Sequence, residues 1–238
     1  MSARRLGTGA VLQGLGIAIG LVGLLGGFAL LAFQYRPYEV PTDSMQPTVQ
    51  PGTTVLAHPV NGSSVGRGDI VVFRDPVWGN TPMVKRVIGV GGDKVVCCDS
   101  QGRTTVNGVP LVEPYLEPAG PMLSSGNRTF SSTVPAGRLF LMGDNRMVSL
   151  DSRVHLDSFG GTVPRSEVVA RVEGIAFPLG RAGTVDRTSA FDALPGSRAT
   201  AHGPLVPLVF AIIGGAALVL LTAAAGTVGG LVRKRRQA

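Results

Sequence analysis

The chain has 238 residues, 44% of them hydrophobic but only 5% aromatic, and a formal charge of +7. Arg4, Arg5, Arg233, Lys234, Arg235 and Arg236 lie at the two ends, while residues 34–204 hold all 15 acidic residues and are nearly neutral, so the basicity belongs to the tails and no nucleic-acid partner is expected. The apolar weight also sits at the ends, which excludes an ordinary soluble domain for the whole chain.

Residues 1–6 form a short basic tail, and 7–33 contain no charged residue. That run exceeds the roughly 20 residues needed to cross a bilayer. It is also well beyond the roughly 7–15 apolar residues of a cleavable signal sequence, so it reads as an uncleaved transmembrane anchor. Residues 204–232 form a second uncharged run, followed by the basic tail 233–238. Short Lys/Arg-rich flanks stay on the cytoplasmic side, which predicts a multi-pass protein of the cell membrane with both termini inside and residues 34–204 outside. The spacings Gly16-x-x-x-Gly20, Gly23-x-x-x-Gly27 and Gly226-x-x-x-Gly230 leave smooth helix faces on which two spans can approach closely. In helices this rich in glycine the pattern assigns no function.

Between the spans the apolar runs are short and β-branched. Asp69–Phe73, Met83–Val90, Lys94–Cys97, Arg138–Met142 and Glu167–Val172 read as strands, and none of the segment has a sustained helical period. Asn107-Gly108 between two such runs predicts a tight hairpin, because both central positions want positive φ. Residues 120–133 read as a loop, 34–179 as a β-rich extracytoplasmic domain, and 180–203 as a linker. The adjacent Cys97 and Cys98 exclude a C-x-x-C motif and leave a vicinal bridge and two buried thiols both open.

Near the first span the stretch P41-T-D-S-M-Q-P-T48 puts a serine in a Pro-bounded turn. G-x-S-x-G and H-E-x-x-H are absent, and His58, His155 and His202 show no ligand spacing, so no metal or cofactor is expected. That leaves Ser44 with Lys85. A lysine acts as a base only when its amine is neutral, which burial favours. On a strand, Met83, Lys85 and Val87 share one face and Val84, Arg86 and Ile88 the other, so one of the two adjacent cations is expected inside and the other out. By pattern alone Lys85 is a surface lysine with its head in water.

Four segments change that reading: P41-T-D-S-M-Q-P-T48, G68-D-I-V-V-F73, K85-R-V-I-G-V-G-G-D93 and G143-D-N-R-M-V-S-L-D-S-R153. In this order after an anchor span they resemble the sequence boxes of bacterial type I signal peptidases, which are Ser/Lys-dyad serine endopeptidases. The resemblance covers residues 36–178 and the anchor, and departs from the family at Gly91, commonly Pro, and at Met147-Val148, more usually Asp-Asn. It implies a mainly β ectodomain of coiled antiparallel sheets with one N-terminal and one C-terminal transmembrane helix. It implies that Ser44 is the nucleophile and Lys85 the general base. Ser149 would orient the lysine, Asp151 and Arg153 would form a supporting ion pair, and Thr42 would join the Ser44 backbone N–H in an oxyanion hole. Val40, Pro41, Met45, Met83 and Val84 would line shallow pockets for small side chains one and three residues before the cut, in keeping with an Ala-x-Ala preference. The implied partners are the signal peptides of secretory preproteins, membrane lipid and the secretion translocon. Self-cleaving SOS-type repressors share a Ser/Lys pair but carry a DNA-binding helical domain and no anchor. The alternative of another class is a non-catalytic, membrane-tethered β-domain that binds a cell-surface partner.

Overall fold

Runs dominated by Leu, Ile, Val, Ala and Gly at the two ends form helices α1 (Thr8–Gln34) and α2 (Leu205–Arg235) in the computed structural model, which describes residues 8–116, 128–196 and 203–235. Both helices are long and apolar enough to cross a membrane. They belong to one compact unit, and Tyr35–Gly203 make a second. Within the helical unit the glycines allow close approach: a Cβ on Gly20 would strike Val219 and the Gly215 carbonyl, and one on Gly16 would strike Thr222. Gly226 opposes Gln13 in the same way, so the spacings Gly16–Gly20 and Gly23–Gly27 mark the face of α1 that meets α2.

The second unit is built from β1 (Arg36–Val40), β2 (Thr53–Pro59), β3 (Ile70–Phe73), β4 (Met83–Val90), β5 (Lys94–Cys97), β6 (Thr104–Val106), β7 (Val109–Pro110), β8 (Phe130–Thr133), β9 (Arg138–Met142), β10 (Val163–Pro164), β11 (Val168–Phe177) and β12 (Gly183–Thr184). The larger antiparallel sheet runs β1-β2-β11-β3-β4-β9-β10, with β12 beside β11, and the smaller runs β7-β6-β5-β8. The fold is therefore mainly β with an apolar helix at each end, as the resemblance implied.

The all-apolar run of β3 follows from burial on both faces. Ile70 and Val72 enter a cluster with Val40, Met45, Val55 and Val84, while Val71 and Phe73 enter another with Val87, Leu139 and Leu141. On β9, Phe140 and Met142 turn the other way and meet Val95, Val106 and Phe130 of the smaller sheet. Alternation with period two thus feeds separate cores from one strand. Asn107 (φ 53°) and Gly108 (φ 79°) make the tight β6–β7 turn that the sequence predicts.

Three readings change. Residues 130–133, expected in a loop, form β8 because Phe130 is buried against Phe140 and pairs with Cys97; residues 120–127 lie outside the described residues. The segment 180–203, expected as a linker, contributes β12 and buries Val185, Phe191 and Leu194 in the body of the domain. Lys85 and Arg86 are both buried, at 5% and 2% exposure, rather than one in and one out. Each face of β4 supplies its cation with partners, so neither needs water. Cys97 and Cys98 form a vicinal disulfide.

Candidate active site

The turn after β1 is fixed by its apolar members. Met45 and Val49 are fully buried, and Val49 N–H donates to the Met45 carbonyl at 2.9 Å. Ser44 is thereby held at 8% exposure with its hydroxyl facing β4. Lys85 Nζ donates to Ser44 Oγ at 2.8 Å. Thr42 Oγ1 lies 3.1 Å from the same oxygen. The two boxes, 41 residues apart in sequence, meet because β1 and β4 supply Val40 and Val84 to one core cluster.

Burial pushes the Lys85 amine down from 10.5 to about 8, with Asp151 and Asp144 opposing the fall and Arg153 assisting it. Asp151 is fully buried. Burial alone would raise its pKa, but the Arg153 guanidinium and the Gly143 N–H hold it below the usual carboxylate value. The ion pair is bidentate, with Arg153 Nε 2.8 Å from Oδ1 and Nη2 2.7 Å from Oδ2. Ser149 Oγ is buried beside the Asp151 carboxyl, whose charge it favours, but makes no well-formed hydrogen bond to Lys85 or to any other described residue. Met147 and Val148, the departures in this loop, are about half exposed, whereas Ser149 beside them is buried.

Residues to which the sequence reading gave no role complete the site. Asn145 N–H donates to the Ser44 carbonyl at 3.0 Å, which fastens the third loop to the serine. A Cβ on Gly143 would collide with both the Ser44 carbonyl and Ser149, so only glycine lets these segments close. Asp144 takes Arg86 bidentately at 2.8 and 2.6 Å and accepts from Thr48 Oγ1 at 2.5 Å, tying the far face of β4 to the serine turn. All three stand in the G143-D-N box, but their roles are tertiary contacts that no local pattern reports.

Of the residues expected to touch substrate, Val40, Met45 and Val84 share a core cluster, Pro41 is exposed, and Met83 packs toward the opposite cluster. On β4 the pairing with β3 spans Met83–Arg86, whereas the pairing with β9 begins at Arg86. Among the described residues, Met83–Lys85 therefore has a strand on one side only. A buried amine with a lowered pKa, bonded to a hydroxyl beside a half-open strand, can deprotonate a nucleophile next to an extended peptide.

Residues 11–177 match the family described as signal peptidase, peptidase S26. The chain belongs to this family. Signal peptidase I of Mycobacterium tuberculosis (strain CDC 1551 / Oshkosh) is 34% identical over 207 residues, covering 66% of this chain and 70% of that one. A probable signal peptidase I of Mycobacterium leprae is 34% identical over 227 residues, covering 71% and 76%. The solved signal peptidase I of Enterococcus faecalis V583 is 29% identical, covering 44% of this chain and 93% of that one, at a TM-score of 0.35. Ser44 and Lys85 both fall inside the stretch matched to the signal peptidase family.

Proposed function

We propose that this signal peptidase is a membrane-bound serine endopeptidase that removes N-terminal signal peptides from exported preproteins at the outer face of the membrane, with Ser44 as nucleophile and Lys85 as general base. The observation that carries this reading is the 2.8 Å contact of Lys85 Nζ with Ser44 Oγ in a site that lowers the amine to about 8. At that value roughly a tenth of the lysines are neutral at pH 7. The neutral amine takes the Ser44 proton while Oγ bonds to the scissile carbonyl carbon, and the carbonyl electrons move onto oxygen. The Ser44 N–H and the Thr42 hydroxyl stabilise that charge. The C–N bond then breaks and the Lys85 ammonium gives its proton to the departing amine of the mature protein. A water that loses one proton to Lys85 attacks the ester, Lys85 returns that proton to the departing Ser44 oxygen, and the signal peptide leaves as a carboxylic acid that gives its proton to solvent.

Ser149, Asp151 and Arg153 act through Lys85, by fixing its surroundings. The substrate lies extended along the open side of Met83–Lys85, with Val40, Pro41, Met45, Met83 and Val84 shaping pockets for small side chains. A serine eleven residues beyond the first apolar run meets peptide bonds just past another protein's span, so placement itself selects signal peptides; membrane lipid and the secretion translocon are the surroundings. The deciding experiment incubates purified full-length protein with a labelled preprotein and determines the mass of the new N-terminus. Cleavage after a small residue, lost in Ser44→Ala, is expected. A folded wild type that binds preprotein without cutting it overturns the reading in favour of a tethered binding domain.

A further inference from the structure

Glu173 is a carboxylate at 1% exposure on β11 that the proposed chemistry does not use. Arg171 donates to Oε1 through Nη2 at 2.7 Å and Nε at 3.2 Å, which neutralises the charge within the strand. The remaining donors come from the two ends of the domain. Tyr35, the first residue after α1, donates its hydroxyl to Oε2 at 2.6 Å. Gly203, two residues before α2, donates its backbone N–H to the same carboxylate.

Both ends are built for this contact. Tyr35 is 2% exposed, and its ring lies 5.3 Å from that of His58 on β2. A Cβ on Gly203 would sit 2.5 Å from Oε2 and 2.9 Å from the Tyr35 hydroxyl, so no other residue fits without displacing the carboxylate. The outgoing segment also docks on β11 at this level: Val185 N–H donates to the Glu173 carbonyl at 3.0 Å, and Gly174 pairs with Thr184. A passive tether has no need to bury a glycine amide on a charged group.

We propose that Glu173 is a positioning residue that fastens the chain entering the catalytic domain and the chain leaving it to one point, so that both membrane tethers depart from a single place. This rests on the peptidase function proposed above. A domain held by two tethers at one point samples fewer orientations than one on a single strand, which raises the effective concentration of its serine for membrane-borne substrate and leaves a soluble peptide unaffected.

The test uses full-length enzyme in lipid vesicles with two substrates sharing one cleavage site, a membrane-anchored preprotein and a short soluble peptide. Glu173→Gln, Gly203→Ala and Tyr35→Phe are compared, the last two leaving the carboxylate paired with Arg171 should Glu173→Gln fail to fold. Expected is a loss of roughly tenfold in kcat/KM on the anchored preprotein with the soluble peptide within about twofold of wild type, together with faster hydrogen exchange at the residue 203 amide. Equal losses on both substrates would mean a merely structural carboxylate and overturn the proposal, as would an unchanged ratio in folded Gly203→Ala. A wild type that cuts neither substrate overturns the peptidase reading and this one with it, whereas an active wild type with insensitive variants overturns this one alone.

Discussion

In the proposed mechanism Lys85 supplies the base, and the burial that lowers its pKa also costs stability. If its neutral amine is the base, kcat/KM should rise about tenfold per pH unit below pH 8 and level off above it, because protonation removes the lone pair that accepts the serine proton. A pH–rate profile reads this directly. Lys85→Arg keeps charge and reach but cannot lose a proton, so it should be as inactive as Lys85→Ala in a preprotein cleavage assay; near wild-type turnover would redirect the search to another base. The lowered pKa also has a stability consequence. The unfolded lysine holds its proton up to 10.5 and the folded one only to about 8, so burial costs about 3 kcal/mol below pH 8, and the cost fades as pH rises through 8 to 10.5. Lys85→Met should therefore be inactive yet more stable than wild type at pH 7, with the gain in chemical-denaturation midpoint shrinking above pH 8; a destabilised variant at pH 7 would show that the amine contributes net binding energy to the fold.

At the scale of elements, one buried carboxylate joins the two sheets. Asp93, in the turn from β4 to β5, accepts from Arg67 Nε and Nη2 at 2.7 and 2.6 Å, from the Val90 N–H at 2.7 Å and from Asn107 Nδ2 at 2.8 Å. Asn107 is itself the first central residue of the β6–β7 turn and takes the Lys94 N–H on its other amide atom, so turn geometry and sheet junction share a side chain. Removing one member of such a pair leaves a buried guanidinium uncompensated. Asp93→Ala should lower the unfolding free energy by about 3–5 kcal/mol, measured by denaturation of the full-length protein in detergent. The double variant Asp93→Ala/Arg67→Ala should lose much less stability than the two single losses summed, since the partners act as one unit.

For the whole molecule, we propose from the charge partition that both basic tails face the cytoplasm and residues 34–204 the outside. Membrane-impermeant thiol labelling of single cysteines, introduced at residue 2, 100 or 237 after Cys97 and Cys98 are replaced, should mark only residue 100 in intact cells; labelling at 237 would refute this topology. The family match ends at residue 177, before α2. Deleting 204–238 should therefore leave cleavage of a soluble peptide measurable in a folded protein, and complete loss would mean that the second helix shapes the active site.

Much of this was legible in the chain alone, because it rests on local physics. Long uncharged apolar runs make α1 and α2, short β-branched apolar runs make β3, β4, β5, β9 and β11, and paired positive-φ residues make the Asn107-Gly108 turn. The boxes around Ser44, Lys85 and Ser149 were visible as a resemblance. Edge strand β1, with Arg, Pro and Glu among its five residues, escaped because its pairing with β2, not its own pattern, makes it a strand. Residues 130–133 and 180–203 look like loop and linker for the same reason: Phe130, Phe191 and Leu194 are buried by surfaces that distant strands provide. Tertiary structure alone decided that adjacent Lys85 and Arg86 are both interior, since whether a cation can leave water depends on Ser44, Asp144 and Asp151 arriving from elsewhere in the chain. It likewise decided that Glu173 receives Tyr35 and Gly203, 138 residues before it and 30 after, because a buried charge selects its partners by position in space, and sequence encodes that position only through the completed fold.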